Sequence, residues 1–257
     1  MNKIHRLPPP DCFDNQIQVS KNKKITFYEE LWDNNGKIKP RWNTTCKEGG
    51  NVSKIRQTLL EMSNETCVYC GIKIDNTDMD VDHYLPSSQF PYLAYCWDNL
   101  LPSCKRCNQN SKLDSFPQSL FGKKIVENIL SDKFEHDFIY DKAHILGSIA
   151  KDDRLIEPTF DNPEEHLEFN PEFYFYESQT KIGELTIRKF FSNHKEVAEE
   201  WEKLSKFIKE IIVKNQDEQA ALDLVNFYIT LHGKEYVCLK FYQYWLKEKE
   251  EGRIDRV

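Results

Sequence analysis

Two pairs of cysteines in this sequence have the spacing of a metal site. In each pair two residues separate the cysteines, so that Cys67 is matched with Cys70 and Cys104 with Cys107. A Cys-x-x-Cys loop brings two thiolates within reach of one ion, and two such loops complete the tetrahedral shell of a structural zinc. Redox dithiols are the alternative use of this spacing. The presence of both pairs favours zinc, which would hold the surrounding chain together.

Polar residues that could do chemistry lie between and just after these pairs. Asp82 and His83 are adjacent, and Asn99 follows sixteen positions after His83. Asn108 comes directly after the last cysteine, with Lys112 one helical turn further on. Carboxylate and amide oxygens suit Mg²⁺ or Mn²⁺, and an imidazole can accept a proton from water near neutral pH. A single histidine is more often structural than catalytic, so the surrounding residues must decide its role.

Local sequence patterns predict the elements that position these residues. Apolar residues at helical spacing predict a helix over 51–62 that leads into the first cysteine pair. Residues 72–81 are short and broken by turn formers, which indicates a small hairpin ending at Asp82 and His83. Prolines and aromatic residues over 84–97 indicate a long structured loop. A further helix is predicted from Cys107 to about residue 113.

The regions on either side of this core differ in character. We predict an irregular N-terminal arm with a lead-in helix over 1–60, a core over 61–118, and a mostly helical region over 119–257. Short helical runs are expected at the start of this third region, followed by a loop and one or two strands. Amphipathic patterns then predict a helix or helix pair over 185–213 and a second pair over 217–250.

Composition restricts the class of protein. Of the 257 residues, 39% are hydrophobic, which is ample for a packed core, and the formal net charge is -7. Overall acidity counts against a nucleic-acid binder, although a phosphate site needs only local positive charge. The segment 101–124 is locally basic. Its charged residues are Lys105, Arg106, Lys112, Lys123 and Lys124 against Asp114. No export signal or apolar stretch of membrane-spanning length is evident, so we expect a cytoplasmic protein without a membrane partner.

The residues around the cysteines resemble the HNH endonuclease family. The resemblance rests on Cys67-Val-Tyr-Cys, Val81-Asp-His-Tyr-Leu-Pro and Trp97-Asp-Asn-Leu-Leu-Pro-Ser-Cys-Lys-Arg-Cys-Asn-Gln-Asn-Ser-Lys, and it covers about residues 66–117. It implies an α+β fold, in which a zinc-clasped ββα-metal core is joined to an irregular N-terminal arm and a mainly α-helical C-terminal region.

The same resemblance implies a role for each polar residue. His83 would be the general base that activates water, and Asp82 and Asn108 would hold one catalytic Mg²⁺ or Mn²⁺. Asn99 would pin the loop between hairpin and helix through backbone hydrogen bonds. Lys112 would face the phosphate or the developing charge. Asn108 replaces the histidine for which the family is named at this position. The substitution is common among family members and still supplies a ligand, so the resemblance implies an intact site.

Two further expectations concern partners. Lys105, Arg106 and Lys112 are the candidates for binding the nucleic-acid backbone. A looser resemblance runs through 155–169 and 183–188 to the PtuB-like HNH proteins of Septu and retron anti-phage systems. It implies an ABC/SMC-like (PtuA-like) ATPase as partner.

Three hypotheses for function follow. The first is a metal-dependent endonuclease that cuts DNA or RNA. The second is a zinc-clasped module that binds nucleic acid or protein without cutting, which would not need Asp82, His83 and Asn108 together. In the third, the helical C-terminal half is an assembly domain, which is compatible with the first.

Overall fold

The computed structural model describes most of the chain outside two long segments. It describes residues 1–11, 16–20, 23–26, 42, 46, 53–88, 93–94, 96–115, 154–192 and 194–254. The helical runs predicted early in the C-terminal region, together with Lys123 and Lys124, lie outside these residues. Within the part of the chain that the structure describes, no helix is both long and apolar enough to cross a membrane.

The cysteine-containing core consists of one helix, a two-stranded sheet and a π-helix. The elements are helix α1 (Lys54–Met62), strand β3 (Met79–His83), strand β4 (Leu100–Cys104) and the π-helix (Arg106–Lys112). The helix predicted over 51–62 is confirmed for Lys54–Met62, while residues 51 and 52 lie outside the described residues. Its buried side chains recur at helical spacing, and the helix packs against the sheet. The helix predicted after Cys107 is present in π form, shown by the hydrogen bond from Leu113 N to Asn108 O.

Strand β3 pairs with a partner that is distant in the sequence. It lies antiparallel to β4, so that Asp82 is opposite Leu101 and His83 is opposite Leu100. The prediction of a small hairpin within 72–81 is therefore wrong, because β3 pairs with β4, which comes after a long connecting segment. Residues 84–99 thus connect the two strands of the sheet, and 89–92 and 95 among them lie outside the described residues.

The first residues of the chain are irregular but firmly attached to the core. Ile4 N donates to Pro158 O at 2.9 Å. Arg6 Nη1 donates to the carbonyls of Trp97 and Leu100 at 2.7 and 2.9 Å. Further along, β1 (Gln16–Ser20) and β2 (Lys23–Thr26) form a two-stranded antiparallel sheet.

Over the described residues 154–192 and 194–254, the C-terminal region contains a small sheet followed by four helices, which agrees with the mainly helical prediction. Strands β5 (Leu167–Asn170) and β6 (Phe175–Ser178) pair antiparallel. The helices are α2 (Lys181–Phe190), α3 (Lys195–Lys214), α4 (Glu218–His232) and α5 (Glu235–Glu250). Both predicted pairs are confirmed, with the first starting at Lys181. The second breaks at Gly233, whose φ of +69° favours glycine.

Packing joins this region to the core. Arg154 holds Asp161 through two hydrogen bonds of 2.5 and 2.7 Å, which shapes the loop before β5. Ile156 N in this loop donates to Thr186 Oγ1 of α2 at 2.9 Å. On the core side, Tyr84 donates its hydroxyl to Leu155 O at 2.7 Å. The hydrogen bond between Tyr84 and Leu155 therefore connects the two sides of the predicted boundary at residue 118.

Candidate functional site

The four cysteines of the two pairs come together in one cluster. Their sulfur atoms all lie within 4.8 Å of one another, and Cys70 Sγ is 3.8 Å from Cys104 Sγ. Sulfurs at the corners of a tetrahedral zinc site, each about 2.3 Å from the ion, are about 3.8 Å apart. The donor set and spacing therefore fit a structural zinc.

The backbone around the cysteines has the hydrogen bonds of a metal-binding loop. Gly71 N donates to Cys67 O at 2.8 Å, with Gly71 at a φ of +77°. Cys107 N donates to Cys104 Sγ at 3.4 Å. Hydrogen bonding to Cys104 raises the pKa of the Cys70 and Cys107 thiols. A bound cation favours the thiolate form of all four side chains, so zinc would lower the thiol pKa values that these hydrogen bonds raise.

His83, at the end of β3, is held in one tautomer. Its Nε2 lies 2.9 Å from Ala94 O, and Trp42 packs with its ring 5.9 Å from the imidazole. A carbonyl oxygen only accepts hydrogen bonds, so Nε2 carries the hydrogen and the lone pair is on Nδ1. Burial lowers the pKa of His83 below its ordinary value of 6.5, which keeps the ring neutral at neutral pH. A neutral imidazole with a lone pair on Nδ1 can accept a proton.

Asn99 fixes the loop that carries the Ala94 carbonyl. Its Oδ1 accepts from Leu85 N at 2.8 Å, and its Nδ2 donates to Leu85 O at 2.9 Å and Leu93 O at 3.2 Å. The side chain is fully buried. The loop in question lies between β3 and β4 rather than between hairpin and helix. Because Leu93 directly precedes Ala94, Asn99 fixes the acceptor that orients His83.

Asp82 is buried between a tyrosine and a lysine. Tyr69 donates its hydroxyl to Asp82 Oδ2 at 2.5 Å, and Lys112 Nζ donates to Oδ1 at 3.0 Å. Lys112 Nζ also donates to His83 O at 2.6 Å. The lysine is 1% exposed and Asp82 is 2% exposed. The predicted surface contact of Lys112 with phosphate does not match this position, since its ammonium lies inside the fold.

Asn108 on the π-helix forms a hydrogen bond with a different aspartate of β3, Asp80. Its Nδ2 donates to Asp80 Oδ2 at 3.2 Å, and Gln109 Nε2 donates to the same oxygen at 2.7 Å. Asp80 and Asp82 share one face of β3, because side chains alternate along a strand. The two carboxylates therefore face the π-helix side by side, Asp80 at Asn108 and Asp82 at Lys112.

The predicted ligands of the catalytic ion fit a hard divalent cation by chemistry. Among the described residues, each Asp82 oxygen accepts one hydrogen bond, from Tyr69 or from Lys112, and a carboxylate oxygen has a second lone pair. Asn108 uses its amide nitrogen for Asp80, so its amide oxygen is the atom that would face a cation. The Lys112 ammonium donates a hydrogen bond to Asp82 Oδ1, so it would compete with a metal ion for that carboxylate.

The other two predicted phosphate contacts are at the surface and already have partners. Lys105 Nζ lies 3.7 Å from Asp78 Oδ1 with both side chains exposed. Arg106 forms an ion pair with Glu196 on α3. An exposed pair such as Lys105–Asp78 contributes little to stability.

Comparison with known proteins decides the identity of the core. The family model described as HNH endonuclease matches residues 67–112. This segment is an HNH endonuclease domain. The matched range begins at Cys67 and ends at Lys112, so it includes the complete cysteine cluster and every polar residue to which the sequence analysis assigned a role in the site. The HNH domain accounts for the β3–β4 sheet and the π-helix.

Relatives extend the similarity beyond the HNH domain. The chain is 36% identical over 136 residues to the Septu protein PtuB of Bacillus thuringiensis, covering 52% of this chain and 38% of that protein. It is 28% identical over 171 residues to the Septu protein PtuB of Bacillus mycoides, covering 60% and 52%. The protein ea31 of Escherichia phage lambda is 39% identical over 54 residues, which cover 21% of this chain and 18% of that protein. The chain thus spans about half or less of these relatives. No solved structure shows a significant match.

Three contributors to the HNH site were not predicted from the sequence. They are the Tyr69 hydroxyl, the Ala94 carbonyl and the Asp80 carboxylate. The alternation of Asp80 and Asp82 along one strand was the available signal for Asp80. Tyr69 lies inside the first cysteine pair, where a large aromatic residue is most simply explained by packing. A backbone carbonyl leaves no trace in residue types, so Ala94 offered no signal.

Proposed function

We propose that this protein is a metal-dependent endonuclease that hydrolyses phosphodiester bonds of nucleic acid, with His83 as its general base. The observation that carries the proposal is the hydrogen bond from His83 Nε2 to Ala94 O. It leaves Nδ1 as the basic nitrogen of a neutral imidazole, and it does so next to a buried carboxylate. A general base must be unprotonated at the working pH and must be within hydrogen-bond reach of the proton it takes.

Asp82 and Asn108 are the proposed ligands of the catalytic ion. A bound Mg²⁺ or Mn²⁺ would polarise the scissile phosphate and stabilise charge on the leaving oxygen. His83 takes a proton from the water whose oxygen forms the new bond to phosphorus, while the bond from phosphorus to the leaving oxygen breaks. Asn99 keeps His83 in place through the loop, and Lys112 fixes Asp82 from inside the domain rather than contacting the substrate.

Lys105 and Arg106 are the proposed contacts to the nucleic-acid backbone. Both lie at the start of the π-helix segment and on the surface, where a phosphate would displace Asp78 and Glu196. Contacts of this kind provide affinity without sequence preference. They also allow an acidic chain to bind nucleic acid, because the positive charge is local.

The cellular role proposed is that of an effector in bacterial anti-phage defence. Its support is the similarity to two Septu proteins PtuB, which covers 52% and 60% of this chain. By this analogy the chain would act in the cytoplasm with an ABC/SMC-like (PtuA-like) ATPase, in a Septu or retron setting.

A cleavage assay on three substrates tests the proposal. Plasmid, single-stranded DNA and total RNA are incubated with the wild-type chain and the His83→Ala variant, with Mg²⁺ or Mn²⁺ and without either. Cleavage by wild type alone, and only with the divalent ion, is the expected result. The substrate that is cut identifies the class. Each assay is repeated with the co-purified ATPase, which separates an inactive enzyme from one that waits for its partner.

Binding without cleavage under all these conditions would favour the zinc-clasped binding module instead. Equal cleavage by wild type and His83→Ala would contradict the assignment of the base.

A further inference from the structure

Tyr69 occupies an unusual position between the zinc cluster and the HNH site. It lies inside the first cysteine pair, and its side chain is 0% exposed. Cys67 N donates to Ile72 O at 2.8 Å and Val68 N donates to Pro102 O at 3.1 Å, so the loop is tied both to itself and to β4. A side chain rooted in this loop therefore has a well-fixed base.

The hydroxyl of Tyr69 is directed at the carboxylate of the site. It donates to Asp82 Oδ2 at 2.5 Å. A carboxylate oxygen only accepts hydrogen bonds, so the Tyr69 hydroxyl is the donor of this contact. Lys112 donates a hydrogen bond to the other oxygen, Oδ1. The hydrogen bond from Tyr69 to Oδ2 therefore fixes the rotation of the carboxylate about the Cβ–Cγ bond of Asp82.

The ring of Tyr69 is held from the opposite side by the C-terminal region. It stacks on Phe190 with ring centroids 4.3 Å apart and planes 10° apart. Phe190 is the last residue of α2 and is 2% exposed. The ring therefore contacts helix α2, while its hydroxyl contacts the carboxylate of Asp82.

We propose that Tyr69 is a positioning residue through which the zinc loop and helix α2 set the orientation of Asp82 for the divalent ion. The proposal rests on the proposed function, because it assumes that Asp82 binds that ion.

Tyr69→Phe tests the proposal, because it removes the hydroxyl and keeps the ring that stacks on Phe190. The matched control is Tyr242→Phe on α5, which removes a tyrosine hydroxyl that donates to the backbone carbonyl of Glu218, away from the HNH domain. Mn²⁺ binding to the full chain is measured by electron paramagnetic resonance, with zinc content and thermal unfolding of each variant. These readouts do not require cleavage.

The expected result is a roughly 10- to 100-fold loss of Mn²⁺ affinity in Tyr69→Phe, as is typical when a group that orients a metal ligand is removed. Zinc content should be unchanged, and Tyr242→Phe should bind Mn²⁺ like wild type. In cleavage, the loss should appear as a higher Mn²⁺ requirement that excess Mn²⁺ overcomes, with kcat preserved.

Wild-type affinity in a folded Tyr69→Phe would overturn the proposal and leave the proposed function standing. Absence of Mn²⁺ binding by wild type would overturn both. If Tyr69→Phe fails to fold, Phe190→Leu serves instead, since it keeps the hydroxyl and loosens the ring. Reduced Mn²⁺ affinity with normal zinc content would then support the proposal, and unchanged affinity would refute it.

Discussion

Lys112 and Asp82 form a charge pair inside the HNH domain, with Nζ 3.0 Å from Oδ1 and both side chains almost fully buried. The pair joins the end of the π-helix to the strand that carries His83. A buried charge depends on its partner, because burial removes the water that would otherwise solvate it. Lys112 thus supplies the positive charge that compensates the Asp82 carboxylate, which is the group predicted to bind the catalytic ion.

Lys112→Met should therefore lower the free energy of unfolding by about 3–5 kcal/mol, because it leaves Asp82 buried and uncompensated. Mn²⁺ should restore part of this stability and bind the variant more tightly than wild type, since the competing ammonium is gone. Urea unfolding with and without Mn²⁺ measures both effects. Lys105→Met, which removes an exposed lysine of the same segment, is the control. Equal stabilisation of wild type and variant by Mn²⁺ would show that the ion does not bind at Asp82.

Asn99→Ala should weaken cleavage although Asn99 contacts neither the substrate nor the ion. The change leaves backbone groups of Leu85 and Leu93 unpaired, at about 1–3 kcal/mol for each buried group. The Ala94 carbonyl then moves from its fixed position, and displacement of His83 should reduce the cleavage rate by roughly 100-fold. Rates are measured at a temperature where the variant remains folded, with Asn110→Ala, an exposed residue of the π-helix, as control. A folded Asn99→Ala with the wild-type rate would exclude this positioning role.

The cleavage rate should depend on pH through His83. Only the neutral imidazole accepts a proton, and burial lowers the pKa of His83 below 6.5. As pH falls, activity should therefore persist below 6.5 and disappear only when the lower pKa is crossed. A single-turnover pH–rate profile measures this midpoint. An acid-side midpoint above 6.5 would mean that another group controls the rate, or that the imidazole is stabilised in its charged form.

The cysteine cluster and the helices could be predicted because their signals are local. Four cysteines at metal spacing point to one ion whatever the fold, and apolar residues at helical spacing define α3 in any context. The pairing of β3 with β4 could not be predicted because nothing in residues 72–81 specifies a partner beyond a long loop. The burial of Lys112 escaped prediction for a related reason. A lysine ordinarily lies at the surface, and only the approach of β3 to the π-helix creates its buried partner.

Lys105→Gln and Arg106→Gln should each weaken nucleic-acid binding in a salt-dependent manner. The slope of log affinity against log salt concentration should fall by roughly 0.7–0.9 for each phosphate that is no longer neutralised, the smaller value applying to single strands. Fluorescence anisotropy in a salt series measures it, in the presence of Ca²⁺ to limit cleavage. Lys206→Gln, a lysine on α3 paired with Glu202, should leave the slope unchanged. If the slopes of Lys105→Gln and Arg106→Gln are as unaltered as that of the control, the nucleic acid binds to another surface.

The most direct test of the proposed nuclease is the cleavage rate of His83→Ala under single-turnover conditions with saturating Mn²⁺. His166→Ala is the control, because His166 also uses a ring nitrogen for a hydrogen bond, to Thr180, but lies outside the HNH domain. We predict a loss on the order of 10²- to 10⁴-fold for His83→Ala, with Mn²⁺ and zinc binding retained, and a wild-type rate for His166→Ala. Cleavage by His83→Ala at the wild-type rate would contradict the role of His83 as the general base.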